Sequence, residues 1–132
     1  MKIVLDCNVF IGAAITKNVC WKTFHEVIGW HESFLSDEIV EEYEMTIQKP
    51  KFKKHIHKLR EYLEIWKKLS IRVEPVKVGI HLKDHKDVKY LAVAFSAKAD
   101  ILITGDLAHF PEPFYGTVRI LRPHEFLSLC GK

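Results

Sequence analysis

Glycine and proline are scarce in this chain, six and five among 132 residues. No repeat, low-complexity tract or Ser/Gly-rich linker interrupts it, which excludes collagen-like and linker-rich architectures. Cysteine is scarce too. Cys7, Cys20 and Cys130 are odd in number and widely spaced, with no CxxC. The expectation is free thiols in a reducing compartment, not a disulfide framework. The eight histidines show no zinc-ligand spacing. His55 and His57 fall on different helix faces, and His81 and His85 have no cysteine or HxxxH company. No apolar run approaches the ~20 residues of a membrane-spanning helix. Lys2 precedes an apolar run as in a signal peptide, but Asp6 breaks that run. A cytoplasmic protein is expected. Charge of one sign is not in excess either. Twenty basic against 17 acidic residues give a formal +3, too mild by itself to imply a nucleic-acid partner.

What the chain does have is apolar residues, 48% of the total, spread along its whole length beside 28% charged ones. This composition suits one globular domain, residues 1–132, around one core. The apolar pattern alternates between two periods. Residues 2–5 read as a buried strand, Val9 to Ile15 as a helix, and Cys20 to Ile28 as helical with Gly29 as its stop. Phe34-Leu35 is a short strand. Ser36 caps a helix that Pro50 ends, and a second helix spans 52–69. Ile71 to Val78 reads as an edge strand because it contains Pro75. A helix over 87–98, a buried strand over 101–104, a last strand over 118–121 and a short helix opened by Pro123 complete the series. Strands alternating with helices predict a mostly parallel sheet covered on both faces.

The stretch MKIVLDCNVF poses the functional question. Asp6 follows the strand 3–5 directly, and Asp106 follows the strand 101–104 by one glycine. The carboxyl ends of parallel strands share one edge, where open α/β sheets place their ligands. Asp87 starts the helix that leads into the second strand, on that same edge, with Asp84 in the loop before it. Glu38 and Glu42, four apart, share a face of the helix that begins there and repel each other unless a positive charge intervenes. Clustered carboxylates need a counter-charge, and all-oxygen donors suit Mg²⁺ or Mn²⁺. The matching chemistry is phosphodiester hydrolysis by a metal-activated water.

Four segments in order carry a resemblance. Asp6-Cys7-Asn8-Val9 resembles the D-x-N-V opening of PIN domains. SDEIVEEY, Ser36 to Tyr43, resembles the helix that carries their glutamate. DVKYLAVA, Asp87 to Ala94, resembles their D-x-x-x-L-x-x-A helix. Thr104-Gly105-Asp106 resembles their T-x-D strand end. The tail Arg119 to Leu127 resembles the ending of the subfamily of toxin components of toxin–antitoxin pairs. The resemblance implies a PIN-like three-layer α/β/α sandwich and a metal-dependent endoribonuclease that leaves a 5′-phosphate. It also implies an antitoxin partner and a homodimer. It assigns metal holding to Asp6, Asp87 and Asp106 and the glutamate role to Glu42, with Glu38 as rival.

The chain departs from the family at three places. Cys7 stands where Thr or Ser is commoner, Lys83-Asp84-His85-Lys86 is less acidic than the usual run, and no further acid follows Asp106. Asn8 reads either as a turn residue or as a group that orients the carboxylates. Thr104 is a candidate for the same orienting work. Asp84 reads as a helix-leading acid near the site. Lys51, Lys53, Lys54 and Arg60 are candidates for tracking RNA phosphates, with Phe52 or Tyr62 stacking on a base. The competing reading is a solvated helix face. Trp21, Trp30 and Trp66 are expected in the core or an interface. Two other functions remain open: a non-catalytic PIN-fold binding module, and an aspartate-based phosphotransfer domain using Asp6 in a D-x-D manner. Asn8 at the second acidic position counts against the latter.

Overall fold

The computed structural model describes all 132 residues. β-Branched, continuous apolar residues form β1 (Lys2–Leu5), and the chain turns at Asp6 into α1 (Cys7–Ile15). Asn18 caps α2 (Val19–Trp30) by accepting from Cys20 N–H at 2.9 Å. Gly29 does not stop this helix, which runs on to Trp30. A single glycine costs a helix only about 1 kcal/mol relative to alanine, and helix packing overrides it. After β2 (Glu32–Leu35), Ser36 caps α3 (Asp37–Ile47) as expected, accepting from Ile39 N–H at 3.2 Å.

Pro50 opens a 3₁₀ segment (Pro50–His55), so α4 (Ile56–Leu69) starts four residues later than the periodicity suggests. The predicted edge strand over 71–78 shrinks to β3 (Ile71–Arg72). Pro75 has no N–H to give a ladder, and the chain leaves the sheet before it. A second 3₁₀ turn (His85–Asp87) feeds α5 (Val88–Ala97), which leads to β4 (Ile101–Ile103). One strand went unread: β5 (Phe114–Tyr115), which turns at Gly116 (φ 60°) into β6 (Val118–Leu121) before α6 (Pro123–Leu129). At two residues between prolines and a glycine, β5 carries too little alternation to be seen.

The strand order is β3-β2-β1-β4-β6-β5, parallel except for the β5–β6 hairpin. β3 lies at an edge, where Pro75 places it. Right-handed crossovers moving from β1 outward to β3 put α1 to α4 on one face. The return from β3 to β4 puts α5 on the other. The result is the α/β/α layering expected from the sequence. The fully buried core includes Trp66, Tyr43, Tyr90, Phe10 and Phe24. Phe10 stacks on Tyr43 with centroids 4.8 Å apart, and the Tyr43 hydroxyl donates to the Leu5 carbonyl at 2.5 Å. α3 is thereby pinned to the end of β1, directly beside Asp6. Trp66 and Trp21 pack as expected, whereas Trp30 is 77% exposed.

Candidate functional site

The middle of the sheet sets the site. β1 and β4 are neighbours in register, Leu5 opposite Ile103, so the residues that follow them emerge side by side. Asp6 N–H still donates to the Ile103 carbonyl at 2.9 Å, and the residue is only 3% exposed. That side chain does not cap α1. Asp6 Oδ2 accepts instead from Thr104 Oγ1 at 2.8 Å, and Thr104 Oγ1 in turn accepts from Asp106 N–H at 3.1 Å. One hydroxyl thus orients the Asp6 carboxylate and fixes the turn that carries Asp106.

Asn8 performs a related task by a different contact from the one expected. It reaches no carboxylate; its Oδ1 accepts from Gly105 N–H at 3.0 Å. A Cβ at Gly105 would sit 3.2 Å from that oxygen, so glycine permits the close approach of the two strand ends. Asp106 is exposed, and its Oδ1 accepts from Ala108 N–H at 2.9 Å.

The segment after Asp106, which lacks a further acid, holds a histidine that takes part in the site. His109 Nδ1 lies 3.2 Å from Asp6 Oδ2, and its Nε2 lies 3.6 Å from Asp106 Oδ2. The imidazole bridges two carboxylates that come from different strands. Burial pulls it down, but the hydrogen bond and charge of Asp6, with Asp87 and Asp106, outweigh burial and hold it above its ordinary value. The available signal was its spacing, three residues after a strand-end acid.

Asp87 comes from the neighbouring α5 entry and is buried. Burial pushes its carboxyl up to about 6; His109 opposes this, while Asp6, Asp84 and Glu42 add to it. Burial likewise raises Asp6, although its bonds to Thr104 and His109 oppose this. Asp84 is exposed and accepts from Lys86 N–H at 2.9 Å, capping the turn into α5. It lines one groove with Asp87, Asp106 and His109, and a second with Glu38, Glu41, Glu42 and Asp87. The sheet edge therefore gathers every predicted acid.

Glu42 is engaged within that second groove. Lys89 Nζ donates to its Oε2 at 2.7 Å, and the Tyr90 hydroxyl donates to its Oε1. Lys89 is itself buried and also donates to the Lys86 carbonyl at 2.5 Å. Glu38 on the same helix is exposed.

The donor set at the edge fits a hard divalent cation. Asp6, Asp87 and Asp106 offer carboxylate oxygens, and burial holds the two buried ones above their ordinary range, with neighbouring acids adding to the rise at Asp87. His109 adds one nitrogen.

The basic candidates sit elsewhere. Lys51, Lys53 and Lys54 are exposed on the 3₁₀ segment. Arg60, also exposed, pairs with Glu44 at 3.7 Å. Tyr62 cannot stack on a base: it is 6% exposed, and its hydroxyl accepts from Trp21 Nε1 at 3.0 Å. Phe52 lies under Lys51, whose Nζ is 5.1 Å from the ring centroid. The cations that line the acidic grooves are Lys49, Lys83, Lys86 and Lys89.

Comparison with known proteins agrees with this architecture. An uncharacterized protein of Methanocaldococcus jannaschii is 30% identical over 114 residues, covering 80% of this chain and 71% of that protein. In fold, the chain is similar to the crystal structure of VapBC2 from Rickettsia felis bound to a DNA fragment from its promoter. The TM-score is 0.64 at 12% identity, over 92% of this chain and 98% of that one. Residues 2–108 match the PIN domain, a span that includes Asp6, Glu42, Asp87 and Asp106. On that match, and on a parallel sheet whose carboxyl edge collects those acids, the chain belongs to the PIN-domain family.

Proposed function

We propose that the protein is a metal-dependent endoribonuclease, the toxin component of a toxin–antitoxin pair. Its family is typically one of nucleases. The observation that carries the reading is the convergence of Asp6, Asp87 and Asp106 at one sheet edge, two of them buried and raised by that burial. Asp6, Asp87 and Asp106 would hold Mg²⁺ or Mn²⁺. When bound, the ion supplies an activated water and neutralises charge that builds on the scissile phosphate.

The chain's own residues do the positioning. Thr104 holds Asp6 in one rotamer, and Asn8 ties the Asp106 turn to α1. His109 partly balances the acids and would add a nitrogen donor to them, a set that suits Mn²⁺ better than Mg²⁺. Glu42, which Lys89 and Tyr90 hold, would help to hold the ion or a second one, or to orient a water; Glu38 is its exposed rival. Lys49 and Lys86 at the groove, with Lys51, Lys53, Lys54 and Arg60 farther along, would bind the RNA backbone. The VapBC2 likeness supports an antitoxin partner, and the family resemblance suggests a homodimer. A cytoplasmic location accords with a chain in which no helix is long and apolar enough to cross a membrane.

One observation favours a second reading. His109 between Asp6 and Asp106 and Lys89 on Glu42 already balance part of the acid charge, as a non-catalytic PIN-fold binding module would need. The two readings separate on end-labelled structured and unstructured RNAs incubated with Mg²⁺, Mn²⁺ or EDTA. Cleavage that needs the metal and leaves 5′-phosphate ends supports the nuclease. No cleavage, with no Mn²⁺ uptake by calorimetry, supports the binding module.

A further inference from the structure

A second convergence of ligand side chains lies at the opposite, amino edge of the sheet. Glu26 stands near the end of α2, His31 in the turn into β2, and Cys130 at the end of α6. α2 and α6 pack together, which joins residues about a hundred positions apart. His31 Nε2 lies 3.1 Å from Glu26 Oε2 and 3.8 Å from Cys130 Sγ. One ligand atom from each residue lies within 4.8 Å of the other two. The His31 and Glu26 side chains are only 9% and 11% exposed. The Phe126 ring packs edge-on against His31, with centroids 5.3 Å apart.

The arrangement is not a nucleophile–base relay. A relay sets the acid on one ring nitrogen and the thiol on the other, whereas here both face Nε2. Sulfur, nitrogen and a carboxylate oxygen turned toward one another are instead the donors around a cation. Tetrahedral zinc has bonds of about 2.3 Å to sulfur, about 2.0 Å to nitrogen and about 2.0 Å to oxygen. That geometry sets sulfur about 3.5 Å from nitrogen and nitrogen about 3.3 Å from oxygen. The observed 3.8 and 3.1 Å depart from these by a few tenths of an ångström.

We propose that Glu26, His31 and Cys130 form a second metal site, for Zn²⁺ or a divalent cation of similar softness, that fastens α6 to α2 and the entry of β2. It is independent of the acidic edge, whose oxygen donors suit harder ions. Binding releases the Cys130 thiol proton to solvent. The ring proton of His31 moves to Nδ1, the atom that now accepts from the Met1 amine at 3.0 Å, so that amine turns away or gives up a proton. Lys132, 3.8 Å from Glu26 Oε1, is the contact the cation replaces. Burial and the Glu26 charge hold the Cys130 thiol above its ordinary value, and a bound cation reverses that preference.

Full-length, metal-free protein titrated with Co²⁺ tests the site. The expected result is one equivalent giving a sulfur-to-cobalt charge-transfer band and the visible bands of four-coordinate cobalt, both displaced by Zn²⁺. Cys130→Ser removes the charge-transfer band and weakens Zn²⁺ binding at least tenfold. Cys20→Ser leaves both unchanged. Should Cys130→Ser fail to fold, as judged by circular dichroism, Glu26→Gln is read instead, with the same tenfold weakening expected. No charge-transfer band in the wild type, a band that survives in folded Cys130→Ser, or unweakened Zn²⁺ binding in Glu26→Gln overturns the proposal.

Discussion

Replacing Asp87 by Asn should make the metal-free protein more stable. The residue is 8% exposed, and burial pushes its carboxyl from 3.8 up to about 6. That difference corresponds to about 3 kcal/mol at ~1.36 kcal/mol per pH unit. Solvent screening and coupling to the neighbouring acids reduce this by about half, to about 1.5 kcal/mol. The sign follows from linkage. Folded protein keeps the Asp87 proton to about pH 6, whereas the unfolded chain releases it near pH 4. The favourable contribution is therefore complete below about pH 4 and lost as pH rises through about 6. At pH 7.5 in EDTA, Asp87→Asn should melt roughly 5 °C above wild type, the shift that about 1.5 kcal/mol gives a chain of this size. At pH 4 the difference should vanish. Mn²⁺ at a hundredfold excess over its Kd should add about 2.7 kcal/mol to wild type and little to the variant, which reverses the order. Scanning calorimetry in EDTA and in Mn²⁺ reads both effects. A variant less stable than wild type in EDTA at pH 7.5, or equal stabilisation of both proteins by Mn²⁺, would refute the reasoning.

Tyr43→Phe removes the buried hydroxyl that pins α3 to Leu5; a loss of about 1–2 kcal/mol in urea denaturation is expected, and an unchanged midpoint would show that α3 is held otherwise. His109→Asn should cost more stability at pH 5.5 than at pH 8.5. The contribution of a raised imidazole is present below its unfolded value and lost as pH rises through its folded one; a pH-independent loss in urea midpoints would show that His109 acts by packing alone. Reversing Lys49 or Lys86 to Glu should weaken RNA binding more than reversing Lys53 or Lys54, with a shallower salt dependence of affinity. The opposite ranking in filter binding would return the RNA path to the 3₁₀ segment.

The strands and the acids were legible because the signals were local. A β-branched apolar run ending in Asp, twice, is readable without coordinates, and parallel pairing then forces Asp6 and Asp106 onto one edge. Ser36 announced its helix in the same way. What escaped were contacts made across the sequence. The Lys89–Glu42 pair joins residues 47 positions apart, and no spacing rule links them. His109 looked like a missing acid because only the fold shows that its ring spans two carboxylates. Pro75 correctly marked an edge but could not tell how early the strand would end. The Glu26–His31–Cys130 convergence depends on α6 returning to α2, a tertiary event that no short motif encodes.

The central claim is that phosphodiester cleavage occurs at this sheet edge. It is tested most directly by comparing RNA cleavage rates of wild type, Asp6→Asn, Asp106→Asn and Glu38→Gln in saturating Mn²⁺. The account predicts loss of at least a hundredfold in both aspartate variants, with Glu38→Gln close to wild type. Cleavage that persists in Asp6→Asn and Asp106→Asn would contradict it.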